Sequence, residues 1–186
     1  LYLFIRELAH SPALTEFLRL LAFFTNRVVA AVNGHAIAGG CIGVLACDYR
    51  ILAAGSGRLG LTELQVGVPF PAWALEIARF GIPARYLQEV VYTGKTFPPD
   101  EALVRGLIDE VVPAERLLER ALEVAGEWSV PAETFALTNR HLRAPLAERA
   151  DGRAGVDDAE VSRLWADPVI AEKIDAFVAK AVKRGG

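Results

Sequence analysis

The residues best suited to chemistry are one carboxylate and a pair of glycines. Glu63 lies between Leu61 and Leu64 in an apolar segment. A carboxylate held there is partly desolvated, and desolvation raises its pKa towards the range useful to a general base. An acid in the first turn of a helix also serves simply to complement the helix dipole. The residues alone leave both readings open. Gly39-Gly40 stand between the apolar run Val28–Val32, which ends at Asn33-Gly34, and a second apolar run, Cys41–Cys47, which ends at Asp48. Two glycines at a helix start leave backbone N–H groups bare and let a ligand come close. Such groups can hold a developing negative charge. The alternative is that the glycines only let the helix pack closely on the preceding strand.

The other polar residues offer less. His35 directly follows the strand-like run and reads as a polar residue satisfied in a turn, and His10 and His141 are isolated and carry no motif. Asp48 reads as a helix-end or packing residue. Cys41 and Cys47 both lie in apolar surroundings without metal-ligand spacing. They read as free thiols in a reducing compartment, which fits a cytoplasmic enzyme with no metal site.

The elements that must position these residues follow from periodicity and punctuation. Leu14, Phe17, Leu18, Leu21 and Phe24 recur at helical spacing and predict a helix from about Pro12 to Thr25. Strands are predicted over Val28–Val32, Tyr49–Ala54 and Ile108–Val112. Helices are predicted over Trp73–Phe80, Ala84–Tyr92 and a short segment from Pro98-Pro99 that Gly106 ends. From Pro113 onward the chain reads as nearly all helix. Leu117, Leu118, Ala121, Leu122 and Ala125 form one apolar face, and a helix runs from Pro131 through Leu142 until Pro145 interrupts it. Arg149 to Asp158, charged and holding Gly152 and Gly155, reads as a loop or hinge. A helix over Val156–Trp165 and a last helix opened by Pro168 follow, the last with the stripe Ile170, Ile174, Phe177 and Val178. Strands alternating with helices, then helices alone, give an α/β core over residues 1–112 and a helical C-terminal region over residues 113–186.

Composition narrows the class. The chain has 186 residues, 53% of them apolar, enough for a sizeable folded core. Its net charge of −3 and the lack of a basic patch argue against a nucleic-acid partner. No apolar run reaches membrane-spanning length and no signal peptide is visible, so no membrane partner is expected.

The stretch Ala31-Val32-Asn33-Gly34-His35-Ala36-Ile37-Ala38-Gly39-Gly40-Cys41, with Ala46-Cys47-Asp48 and Tyr49-Arg50-Ile51-Leu52-Ala53 behind it, resembles the signature of the enoyl-CoA hydratase/isomerase (crotonase) family. The resemblance continues through Leu59–Pro69, Tyr92–Lys95 and Glu101–Val112, and becomes merely helical in the C-terminal third. It implies a crotonase-like spiral of β-β-α units followed by a helical trimerisation region, and a homotrimer or dimer of trimers. It implies an acyl-CoA thioester substrate, with coenzyme A as part of the substrate and no separate cofactor. The family has strands and a first active-site loop ahead of the central stretch. Residues 1–27 are too few to hold them, so the N-terminal part of the family domain, with one oxyanion-hole donor, is expected to be missing from this chain.

Residue by residue, the resemblance implies that Glu63 is catalytic, although Thr62 stands where a proline is common. Gly39 matches the family's oxyanion-hole glycine, and Gly40 keeps the backbone close behind it. Ile42 stands where hydratases of the family carry a second glutamate. Hydration needs water activated at one carbon and a proton delivered to the next, work that two glutamates share, whereas one base suffices to carry a proton along an allylic system. The expected reaction is therefore isomerisation of an enoyl-CoA through an enolate, with Glu63 as single base. The alternatives are another crotonase-type reaction (hydratase, hydrolase or decarboxylase) or a non-catalytic oligomeric family member. Phe70 and Trp73 are bulkier than the residues common after this segment. They either reshape the acyl pocket or pack in the core.

Overall fold

The computed structural model describes residues 12–127 and 130–184. Helix α1 spans Pro12–Ala22. It turns Leu18 and Ala22 into the core and leaves Phe17 and Leu20 outside. The chain then makes two similar passes. The first is β1 (Val29–Val32), β2 (Ala36–Ile37) and α2 (Gly39–Ala46). The second is β3 (Tyr49–Ala53), β4 (Leu59–Gly60) and the helices α3 (Glu63–Val66), α4 (Ala72–Gly81) and α5 (Ala84–Thr93). Strand β5 (Thr96–Phe97), helix α6 (Pro99–Val104) and strand β6 (Glu110–Val112) complete the sheets.

Each pass lays one strand in each of two sheets. One sheet is parallel with the order β1-β3-β6, Ala31 opposite Ile51 and Ile51 opposite Glu110. In the other, β2 and β4 are parallel, with Ile37 opposite Gly60, and β5 closes antiparallel to β4. Parallel neighbours require a crossover, and the helices supply it. The result is the expected spiral of β-β-α units. Along β3 the side chains alternate as a pleated strand requires. Leu52 enters the main core with Ile42, Leu59, Leu61, Trp73 and Ile77. Ile51 and Ala53 point the other way, into a smaller cluster with Val112, Leu117, Ala121 and Val124.

After β6 the chain is helical. A 3₁₀ turn (Ala114–Arg116) leads into α7 (Leu117–Glu127), followed by α8 (Ala132–Trp165) and α9 (Pro168–Arg184). Helix α8 corrects the sequence reading. It runs through 34 residues without a break, with Pro145 inside it. An interior proline removes one backbone bond and crowds the preceding turn, but tertiary contacts on both sides of it hold the rod together. Asn139, Arg143, Leu146 and Ala150 form its buried stripe. The expected hinge residues are its fasteners. Arg149 Nε donates to Glu76 Oε2 (2.6 Å). Asp151 Oδ1 accepts from Trp73 Nε1 and Arg19 Nη1 (3.0 Å each). Asp158 Oδ1 accepts the Ala72 N–H (2.9 Å) and so caps α4, whose own Pro71 offers no capping side chain.

Arg143 of α8 ties the ends of two helices to the sheet. Its Nη1 donates to the carbonyls of Ala22 (2.9 Å) and Ala46 (2.7 Å), the last residues of α1 and α2. Its Nη2 donates to Asp48 Oδ1 (2.7 Å), and Asp48 Oδ2 accepts the Val28 N–H (2.8 Å). Asp48 is thus an ion-pair partner at the start of β3. Burial lowers the Arg143 pKa, and the Asp48 charge opposes that shift.

Candidate active site

Glu63 opens α3, a single helical turn of four residues. Thr62 precedes it without making a side-chain cap, and Gly67 closes it in the left-handed conformation (φ 86°). That glycine is required, because a side chain is strained at this φ. The Glu63 side chain is 6% exposed, and its Oε2 has no hydrogen-bond partner. Burial pushes its pKa up to about 8, against a smaller opposing effect of its own backbone N–H. A surface acid placed to complement a dipole keeps its water shell; this one has lost it. A carboxyl titrating near the working pH has the property wanted of a general base.

The glycine pair lies one strand away. Ala38, ahead of α2, adopts φ 53° and ψ −128°, the only non-glycine with positive φ among the described residues. Its N–H donates to the Gly60 carbonyl (2.9 Å), and its own carbonyl accepts the first helical bond, from Ile42 N–H (3.0 Å). The N–H groups of Gly39, Gly40 and Cys41 therefore precede the helical ladder. A Cβ built on Gly39 or on Gly40 would meet nothing within 4 Å. Among the described residues, then, no close packing explains the pair: the Cβ direction of each glycine is open. The unusual backbone at Ala38 costs on the order of 1–3 kcal/mol and aims that first turn outward.

Topology brings the two halves together. β2 ends at Ile37 and β4 ends at Gly60, opposite each other in a parallel pair. Gly39 and Glu63 thus follow the C-terminal ends of neighbouring parallel strands, the usual place for ligands in such sheets. Gly60 must be glycine, because a Cβ there would collide with the backbone of Lys95 and Thr96. Cys41 links the halves. Its buried thiol is pushed up to about 12 by burial first and by the nearby Glu63 charge second. It stays protonated and leaves Glu63 as the ionising group.

Of the other expected site residues, Gly40 is at the surface and Ile42, Phe70 and Trp73 sit further in. Gly40 is exposed at the start of α2, next to Gly39. Ile42 is 1% exposed with its side chain in the main core, and Phe70 is buried in the same cluster. Trp73 is fully buried, with Phe23 edge-on to its ring (6.3 Å) and the Arg19 guanidinium over it (4.9 Å). These are the contacts of packing residues. His35 and His141 are exposed, and His10 lies outside the described residues. The sequence reading missed Ala38, whose conformation has no signature in its residue type, and Trp165, discussed below.

A cavity of about 300 Å³ lies beside the other end of α2, lined by Arg27, Cys47, Asp48, Arg50, Phe135 and Arg143 among others. Its charges are mutually engaged. Arg50 holds Asp109 with two bonds of 2.8 Å, Arg143 holds Asp48, and Arg27 lies over the Phe135 ring. At about 1.5 Å per residue, α2 separates this cavity from Gly39 by roughly 12 Å.

Known proteins share this family and fold. The family model described as enoyl-CoA hydratase/isomerase matches residues 7–181. The chain is 38% identical over 124 residues to human Enoyl-CoA delta isomerase 1, mitochondrial, covering 66% of this chain and 41% of that protein. It is 30% identical over 161 residues to the rat protein of the same name, covering 86% of this chain and 56% of the relative. The chain thus spans about half the length of the curated relatives it matches. Among solved structures, human mitochondrial delta3-delta2-enoyl-CoA isomerase superposes with a TM-score of 0.84 at 30% identity, over 94% of this chain and 68% of that one.

Proposed function

The chain belongs to the enoyl-CoA hydratase/isomerase family, and from that premise we propose that it shifts the double bond of a 3-enoyl-CoA to the 2-position, with Glu63 as its single base. The observation that carries this reading is the buried Glu63 carboxyl, with Oε2 unpartnered, one strand from the bare first turn of α2. The relatives named enoyl-CoA delta isomerase support it.

The chemistry follows from the two groups. The Glu63 carboxylate takes a proton from C2 of the acyl chain, between the thioester carbonyl and the double bond. The electron pair moves into the carbonyl, whose oxygen gains enolate charge. The Gly39 N–H stabilises that charge, which exists mainly in the transition state and intermediate. Glu63, now a carboxylic acid, returns its proton to C4 as the double bond settles between C2 and C3. Nothing is oxidised or reduced. The step needs no metal or redox cofactor, and coenzyme A enters as part of the substrate.

Ile42 sets the reaction apart from hydration. Its buried alkyl side chain neither takes nor gives a proton, so no second acid is available there to share the work of adding water. With one preparation assayed on both esters, isomerisation of a 3-enoyl-CoA is expected to be fast and hydration of a 2-enoyl-CoA very slow. Efficient hydration by the unmodified protein would overturn the assignment.

The reading includes assembly as a homotrimer or dimer of trimers. Leu118 and Leu122, one turn apart on α7, are 68% and 66% exposed, an apolar pair suited to a subunit contact. Light scattering at micromolar concentration is expected to give a mass above the monomer's, and a monodisperse monomer would contradict it. The free thiols of Cys41 and Cys47 support placing the protein in a reducing compartment, in our reading the cytoplasm.

A further inference from the structure

The turn that carries Glu63 cannot hold its own shape. A helix of four residues lies far below the length at which helices are stable alone. Thr62 contributes no cap, and the closing bonds, such as Val68 N–H to Glu63 C=O (3.1 Å), only complete the turn. Its position must come from its neighbours. On one side is α5, where Gln65 Nε2 reaches the Thr93 carbonyl over a long 3.5 Å. On the other is the tail. Val66 and Val68, which flank Gly67, pack with Ile170 in a buried cluster, and Trp165, Ile174 and Phe177 close around it. The expected apolar stripe of the last helix therefore lies on the Glu63 turn of its own chain; the Val178 side chain is outside the described residues.

Trp165 is the fixed point of this arrangement. It is the last residue of α8, the rod fastened to the core by Arg143, Arg149 and Asp151. Its indole N–H donates to the Pro69 carbonyl (3.0 Å), six residues past Glu63. Asp167 then accepts the Val169 N–H (2.8 Å) and sets the start of α9. This indole joins the rod directly to the segment that follows the Glu63 turn.

We infer that Trp165, seated on Pro69 and backed by Ile170, is a positioning residue that holds Glu63 in its dry location and thereby aligns the base with the substrate. This inference rests on the isomerase reading for its kinetic effect, but not for its effect on the carboxyl itself. The groups that face the turn from the elements packed on it are few. The Cys41 thiol comes from α2, the uncharged Thr93 from α5, and α9 brings the Lys173 ammonium next to Gly67. Loosening the turn exposes Glu63 to water, relieves the desolvation that dominates its titration and lets its pKa fall.

The test is Trp165→Phe in the full chain, which keeps an aromatic ring and removes the N–H. Two readouts are taken: the titration of the Glu63 carboxyl, isolated by infrared difference against Glu63→Gln, and kcat and KM for a 3-enoyl-CoA. The carboxyl midpoint is expected to move down from about 8 towards the ordinary carboxylate range. kcat is expected to fall by about 10- to 100-fold, with a smaller change in KM, as misalignment of a reacting group does. An unmoved midpoint and unchanged kcat, with only a lowered melting temperature, would overturn the inference. If the parent protein has no isomerase activity the functional reading fails, while the carboxyl titration still decides the positioning role. Should Trp165→Phe fail to fold, Ile170→Val trims the same contact by one methyl group. A smaller downward shift of the midpoint is then expected, and no shift would overturn the inference.

Discussion

Replacing Glu63 with glutamine is expected to lower turnover of a 3-enoyl-CoA by about 10²- to 10⁴-fold, the usual contribution of a positioned acid–base group. Glutamine keeps the size of the side chain and removes only its ability to carry the proton. Affinity for the thioester should change little, because the lost interaction belongs to the transition state. Among the described residues, no other group near the first turn of α2 is set to take over. Cys41 is held as a neutral thiol, and Ile42 has no proton to exchange. Steady-state rates and binding of a saturated acyl-CoA, measured on the same two preparations, check both halves. A rate within about threefold of the parent would remove Glu63 from the mechanism, since real acid–base roles exceed that margin.

The same substitution should change how stability depends on pH. The Glu63 carboxyl titrates near 4.5 when unperturbed and near 8 in the folded protein. Between those values the unfolded chain has released its proton while the folded protein still holds it. Stability therefore falls as pH rises across this window. The group's contribution is fully present below about 4.5 and is lost as pH passes through about 8. At the alkaline end the burial of this one carboxylate costs on the order of a few kcal/mol. Glu63→Gln cannot titrate, so its unfolding free energy should lack this slope. A buried amide without a partner costs about 1–3 kcal/mol at every pH, which offsets the curve without tilting it. Urea unfolding of both proteins at about pH 5, 7 and 9 measures the difference. Parallel pH dependences would show that Glu63 is not a buried titrating group.

Much of the site was legible because its parts are local in the chain. Strand, turn, Gly39-Gly40 and buried helix follow one another within twenty residues, and Glu63 stands out as the one acid in the apolar stretch Leu59–Pro69. The alternation of strands and helices was readable for the same reason. What sequence could not choose was whether the glycines serve packing or approach; among the described residues nothing lies within 4 Å of a Cβ built on Gly39 or Gly40, which favours approach. Helix α8 was misread because its buried stripe is partly polar. Asn139 and Arg143 look like surface residues until the carbonyls of Ala22 and Ala46, about a hundred residues away in the chain, appear as their partners. Arg149, Asp151 and Asp158 likewise read as a solvated hinge, although each is bound to α4. The positive φ of Ala38, seen together with its bond to the Gly60 carbonyl, is something residue type does not report. The apolar stripe of α9 was visible, but not that it lies over the turn carrying Glu63.

The most direct measurement is kcat/KM for isomerisation of a 3-enoyl-CoA as a function of pH, on the parent protein and on Glu63→Gln. In the free enzyme the base must be ionised to accept the proton from C2. The parent rate should therefore rise with pH through a midpoint near 8 and then level off, and Glu63→Gln should lose both the activity and the midpoint. A profile that stays flat from about pH 6 to 9.5, or a midpoint that survives in Glu63→Gln, would contradict the assignment of Glu63 as the group that moves the proton.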